Sequence, residues 1–184
     1  MKNETIMSES LSELLNSLNA AGKKKQVMES RASEIEGDKI ISLDLTFCDI
    51  TKIPDGAFAS LKDLKKLYLG YNNLSEVTAA TFKGLDGLTL LSLFNCGLES
   101  LPDDIFASLT NLDWLDLREN DIAKLPSSVG GLKKLNYLYL QNNAKLDLGD
   151  EFDFNQDYHS KRDITKFFEA YTKHTGGATK EATA

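Results

Sequence analysis

Residues 67–74 read LYLGYNNL: two leucines one residue apart, an asparagine three positions after the second, and another leucine two beyond that. The period-two alternation describes a short strand with one buried face. The fold is decided by the return of this pattern along the chain. ISLDLTFCDI precedes it, and LSLFNCGL, LDLREN and LYLQNN follow it. Leu43, Leu67, Leu91, Leu115 and Leu138 therefore fall at intervals of 24, 24, 24 and 23 residues. A second apolar column, Leu45, Leu69, Leu93, Leu117 and Leu140, keeps the same register. So do Cys48, Asn72, Cys96, Asn120 and Asn143, and then Ile50, Leu74, Leu98 and Ile122. A fixed period of this length is the signature of stacked repeats.

A unit with one such strand cannot bury its apolar face alone. Stacking units at ~4.8 Å per strand gives a parallel sheet with a continuous core behind it. The Asn or Cys column follows from that geometry. Where the chain turns out of each strand its backbone groups need partners, and a side-chain amide or a compact thiol fits the interior corner. Ile53, Val77, Leu101 and Leu125 supply a further inward position. Phe58, Phe82 and Phe106, 24 apart, predict an aromatic spine beneath the convex side. The last full unit, LPSSVGGLKKL, is one residue shorter and carries Val129 near the phenylalanine position, so the spine is expected to end there in a tighter turn. Pro54, Pro102 and Pro126 mark the exit into irregular backbone, and the convex side is expected to hold short helical turns and loops.

These columns spell L-x-x-L-x-L-x-x-N/C-x-L, and the chain resembles the leucine-rich repeat family, with about five repeats from Ile40 to about Leu146. The resemblance implies an α/β solenoid, a right-handed superhelix with a curved parallel β-sheet on its concave side, an irregular convex side and helical caps at both ends. It also implies a non-enzymatic scaffold for protein interaction. The 24-residue unit with its phenylalanine is similar to the class common in extracellular receptors. Many extracellular members carry cysteine-rich caps, which are missing here. The start, MKNETIMSESLSELLNSLN, has no apolar run of signal-peptide length, so a cytoplasmic location is expected.

The ends read as caps for the exposed core of a solenoid. Residues 1–39 are expected to form an N-terminal helical cap, with Leu11, Leu14, Leu15 and Leu18 at helical spacing, serines as N-caps and Gly22 as the stop. The repeats occupy 40–146. A C-terminal cap over 147–175 carries Ile164, Phe167, Phe168 and Tyr171 on one helix face, and 176–184 reads as a disordered tail. Either cap helix has docking of a partner as its alternative role.

Composition excludes several classes. There are 28 acidic and 21 basic residues, a formal charge of -7, which argues against non-specific nucleic-acid binding and favours a basic partner if any charge is favoured. No run of 18 apolar residues occurs, so no membrane span is expected. The two histidines, His159 and His174, lie outside the repeats, and no nucleophile motif or glycine-rich phosphate loop is present. No catalysis, cofactor or metal is expected. Cys48 and Cys96 read as buried structural residues two units apart, about 10 Å and too far for a disulfide. Residues 147–157 begin like a calcium loop, but Tyr158 and Ile164 replace the glycine and glutamate it requires, so a solvated acidic loop is expected. Asn3-Glu4-Thr5 and Asn73-Leu74-Ser75 match the glycosylation pattern, which is too short to weigh.

With the leucines facing inward, four positions in each of the five repeats face out from the concave sheet: the residue before the first leucine, the one between the two leucines and the two after the second. Seven of these 20 positions are aromatic (Phe47, Tyr68, Tyr71, Phe94, Trp114, Tyr137 and Tyr139), against 16 aromatics in all 184 residues. Strand propensity accounts for two or three of them. The rest point to a contact surface, because aromatic and arginine side chains dominate binding hot spots. Together with Leu90, Asp116, Arg118 and Glu119 they form the candidate partner-binding face. Trp114 is expected to be exposed beside Leu90 and Tyr137. Asp44, Asp116 and Glu119 give the face an acidic edge suited to a Lys or Arg segment of a protein partner. The competing readings are homodimerisation through the same face and a regulatory subunit of an enzyme such as a phosphatase. A small ligand or carbohydrate is disfavoured by the shallow sheet.

Overall fold

The computed structural model describes residues 11–36, 39–74, 76–147 and 161–175. Strands β2 (Lys39–Asp44), β3 (Lys66–Tyr68), β4 (Leu90–Ser92), β5 (Trp114–Asp116) and β6 (Tyr137–Tyr139) pair in parallel, and Leu43, Leu67, Leu91, Leu115 and Leu138 stand opposite one another as the repeat predicts. Before them lies an element the leucine pattern does not reveal. Strand β1 (Glu34–Glu36) pairs antiparallel with β2 and forms the first edge of the sheet. All three of its residues are exposed, so backbone pairing alone places it, and its glutamates keep that edge charged against unwanted strand addition.

Behind the sheet, both leucine columns are at most 2% exposed. Each such side chain contributes roughly 1.5–3 kcal/mol by leaving water. Phe58, Phe82 and Phe106 are fully buried, with the last two rings stacked at 6.3 Å. The spine ends at Val129, held in a 3-10 turn over Ser127–Gly131. Ile53, Leu101 and Leu125 are buried and Val77 is partly so.

The polar column joins one repeat to the next. Oδ1 of Asn120 accepts the N–H groups of Cys96 and Leu98 at 3.0 and 3.1 Å, while its Nδ2 donates to the carbonyls of Leu93 and Leu117 at 2.8 and 2.9 Å. Asn72 does the same for Cys48 and Ile50, and for Leu45 and Leu69. One buried amide thus satisfies four backbone groups that would otherwise be stranded at the corner. Cys96 fills its corner with a single weak donor, its thiol reaching the Leu69 carbonyl at 3.2 Å. Both cysteines are buried and free, as expected.

In the N-terminal cap, helix α1 covers residues 11–17, and it and the turn that follows bury Leu11, Leu14, Leu15 and Leu18. Its stop is not Gly22. Asn19 takes a left-handed conformation (φ 55°), with its N–H bonded to Asn16 O and that of Ala20 to Leu15 O, at 3.1 and 2.7 Å. This is the double-bonded C-terminal lock that asparagine tolerates. Gly22 lies beyond it, in the short 3-10 turn Ala21–Lys23 that leads to α2 (Lys24–Glu29). Of the serines expected as N-caps, Ser8 and Ser10 fall outside the described residues. At the other end α3 (Lys161–Thr175) buries Ile164, Phe167 and Tyr171, and the Tyr171 hydroxyl accepts the Leu125 N–H at 3.0 Å. The acidic run after Asp147, with His159, and the tail 176–184 also lie outside the described residues. Among the described residues no helix is long and apolar enough to cross a membrane.

Candidate functional site

The parallel register aligns the outward residues in rows across the strands. Lys66, Leu90, Trp114 and Tyr137 are direct neighbours, and so are Asp44, Tyr68, Ser92, Asp116 and Tyr139. Trp114 sits beside Leu90 and Tyr137 as expected. Its exposure is less than expected. The indole is half-buried because its own row and the next close over it, with the rings of Tyr137 and Tyr139 each 4.9 Å away.

The aromatic side chains join into one ribbon. Phe47 stacks on Tyr71 at 4.2 Å, and Tyr71 meets Phe94 edge-on at 5.1 Å. The Arg118 guanidinium lies 5.4 Å from the Phe94 ring and 4.9 Å from that of Tyr139, which continues to Trp114 and Tyr137. The ribbon runs diagonally, from the C-terminal end of the strands at the first two repeats to the N-terminal end at the last two. Gly70 makes room for it. A Cβ there would stand 3.2 Å from the Phe94 carbonyl oxygen and 3.7 Å from the Phe94 Cβ. Tyr68 sits half-buried off the diagonal. Burial pushes its phenol pKa up, and the nearby Asp44 carboxylate adds to the shift.

Two members of the ribbon stand in costly backbone. The third residue after each parallel strand, Phe47, Tyr71, Asn95, Glu119 and Asn142, has φ between 50° and 59°. The next repeat imposes this corner. The N–H of Phe47 donates to Gly70 O, that of Tyr71 to Phe94 O, and that of Asn95 to Arg118 O, at 3.1, 2.9 and 3.0 Å. Asparagine accepts the left-handed region readily, whereas a bulky aromatic residue there is strained by roughly 1 kcal/mol or more. Phe47 and Tyr71 are also 56% and 43% exposed. The fold thus holds two aromatic residues on strained backbone with their rings partly in water, packed on each other and on Phe94 and not into the core.

The acidic edge differs from the expectation. Asp116 is buried, and both its oxygens are taken by Arg118, with Nε at 2.9 Å and Nη2 at 2.7 Å. Asp44 accepts from the Ser30 hydroxyl and the Thr46 N–H, and Glu119, which is exposed, accepts from Asn142 Nδ2. Tyr139 is buried too, at 7% exposure, by Trp114 and Arg118. Sequence reasoning missed these closures because they depend on side-chain rotamers, within one repeat for Arg118 on Asp116 and across to the next for Trp114 and Arg118 on Tyr139. The aromatic, Leu90 and Arg118 positions are brought together on one face, while Glu119 stands at its corner.

Among the described residues, no group of three or more His, Cys, Asp or Glu side chains is placed to hold a metal. His174 pairs with Asp147 at 2.9 Å on the surface. Burial raises the thiol pKa of Cys48 to about 11 and of Cys96 to about 12, far from a reactive thiolate.

A stacked parallel sheet with an asparagine or cysteine at each corner and a broad, shallow concave face define a repeat solenoid. The family model for leucine-rich repeats matches residues 39–98 and 88–144, and the chain belongs to that family. Similar solved structures include a chain of the Toll–Spatzle complex of Drosophila, 32% identical with a TM-score of 0.51. That match covers 54% of this chain and 13% of the Drosophila one, so this chain spans a small part of its length. The BIR2 ectodomain of Arabidopsis thaliana is 23% identical with a TM-score of 0.55, covering 71% of this chain and 76% of its own. The ectodomain of the Arabidopsis receptor kinase HAESA, solved with an IDA peptide hormone ligand, is 16% identical with a TM-score of 0.59, covering 80% and 30%. The two Arabidopsis likenesses concern the fold. Among curated proteins none matches the sequence.

Proposed function

We propose that the chain is a non-enzymatic protein-interaction module whose concave aromatic ribbon receives a protein partner. The observation that carries this reading is the pair Phe47 and Tyr71, strained and exposed at corners where Asn95, Glu119 and Asn142 stand in other repeats. Strain offset only by contacts within the exposed ribbon, with no gain to the core, points to a role outside the fold. Family membership supports the same reading, since leucine-rich repeats generally serve protein interaction, and the Drosophila relative comes from a complex of two proteins. A basic partner loses the support of Asp116, whose carboxylate is already bound by Arg118. A cytoplasmic location remains part of the proposal, in keeping with two buried, unpaired thiols.

The test is affinity purification with wild type and with Phe47→Ser/Tyr71→Ser, followed by direct titration of any recovered protein. A partner that binds wild type at least about tenfold more tightly than the variant supports the reading. Equal binding overturns it. Sedimentation of the two proteins covers the homodimer: a wild-type dimer that the substitution dissociates assigns the face to a second copy.

A further inference from the structure

The N-terminal rim of the strands carries a charge pattern opposite to that of the whole protein. A trough along this rim is lined by Lys65, Lys133 and Lys134, with Asp113 as its one carboxylate, on a chain of formal charge -7. Its lysines lean in from both ends. Lys65 reaches forward over the next repeat, where Gly87 leaves it space: a Cβ at Gly87 would lie 3.0 Å from the Lys65 Nζ. Lys134 reaches back and donates to Asn111 Oδ1 at 2.5 Å. Asn136 Nδ2 donates to Asp113 Oδ1, which turns that carboxylate toward its own wall. Lys66, exposed in the next position of the chain, extends the positive charge onto the face beside Leu90.

The trough meets the ribbon. Lys65, Thr89, Asp113 and Asn136 each directly precede a residue of the row Lys66, Leu90, Trp114 and Tyr137. A concave wall of predominantly one sign focuses its field on what lies within it, and charge complementarity of this kind sets partner choice and association rate. We propose that this rim binds an acidic segment of the protein partner, with aromatic or aliphatic residues of the same segment lying on the Trp114–Tyr137 end of the ribbon. The inference rests on the concave face being a protein-binding surface, and it fixes the partner's charge as negative at this rim.

The experiment pans a random-peptide display library on the wild-type chain and titrates the enriched peptides into wild type, Lys65→Glu/Lys134→Glu and Trp114→Ala. The lysines are exposed, so their reversal leaves the core untouched. The expected peptides are rich in Asp or Glu next to aromatic or aliphatic residues. Their affinity falls about tenfold or more in the lysine variant, and it falls in wild type as salt is raised. If Trp114→Ala abolishes binding and the lysine variant does not, the concave reading stands and the charge inference is overturned. Enrichment of neutral or basic peptides, or no enrichment, also overturns it. A single-stranded oligonucleotide that displaces the peptides would assign the trough to nucleic acid instead. A wild-type dimer dissociated by Lys65→Glu/Lys134→Glu would assign it to a second copy.

Discussion

Tyr71 is held in place by two opposing effects of similar size. Its left-handed backbone costs roughly 1 kcal/mol, and its stack on Phe47 returns about as much. Tyr71→Asn, which installs the residue found at the equivalent positions 95 and 142, is therefore expected to shift denaturant stability by less than about 1 kcal/mol while removing partner binding. A loss above about 2 kcal/mol would show that the ring is structural. The thiols give a second prediction at this scale. Buried Cys48 and Cys96 stay protonated in the fold well above their ordinary value of 9.0, so the unfolded chain releases these protons first as pH rises. Stability from this source is whole below about pH 9 and falls as pH climbs toward 11. Cys48→Ala/Cys96→Ala should flatten that decline in chemical-denaturation midpoints, and both native thiols should resist alkylation at neutral pH. The burial of the cysteines was legible from their column. The left-handed corner at Phe47 and Tyr71 was not, because the asparagine that signals it appears only in other repeats.

Among the elements, the strands could be read from the sequence because a buried leucine every second residue leaves one arrangement of the backbone. Strand β1 escaped reading for the opposite reason: Glu-Ile-Glu has no buried face, and its partner is backbone. Helix α1 shows both cases, with its leucine face evident and its stop misassigned to Gly22, since a lone glycine signals a stop only where the chain needs a left-handed residue. The corner ladder is the element on which stacking most depends. Asn120→Ala removes the acceptor for two buried N–H groups and the donor to two carbonyls. At about 1–3 kcal/mol for each group left without a partner, the loss should exceed about 3 kcal/mol. Asn120→Cys restores one donor, as Cys96 supplies in its own repeat, and is expected to fall between wild type and alanine in urea unfolding. Equal stability of the cysteine and alanine variants would show that the thiol contributes only volume.

At the scale of the molecule, each repeat touches only its neighbours, so stability is close to a sum of repeat and interface contributions, and an uncovered end is the weakest point. The C-terminal end is covered by α3, which buries Ile164, Phe167 and Tyr171 and closes one backbone bond of the last full unit through the Tyr171 hydroxyl and the Leu125 N–H. Those three side chains contribute on the order of 5 kcal/mol. Their removal need not unfold the whole chain, because the interfaces between the first repeats remain intact. Ending the chain after Asp147 is therefore expected to speed amide hydrogen exchange in β6 and in the turn at Ser127–Gly131 by more than about a hundredfold, while β3 keeps most of its protection. Tyr171→Phe, which removes the hydroxyl and keeps the ring, should produce the same gradient at smaller size. Uniform loss of protection from β2 to β6 in the shortened chain would mean that the solenoid unfolds as one unit. The terminal cap would then hold the stability of every repeat, the concave ribbon included.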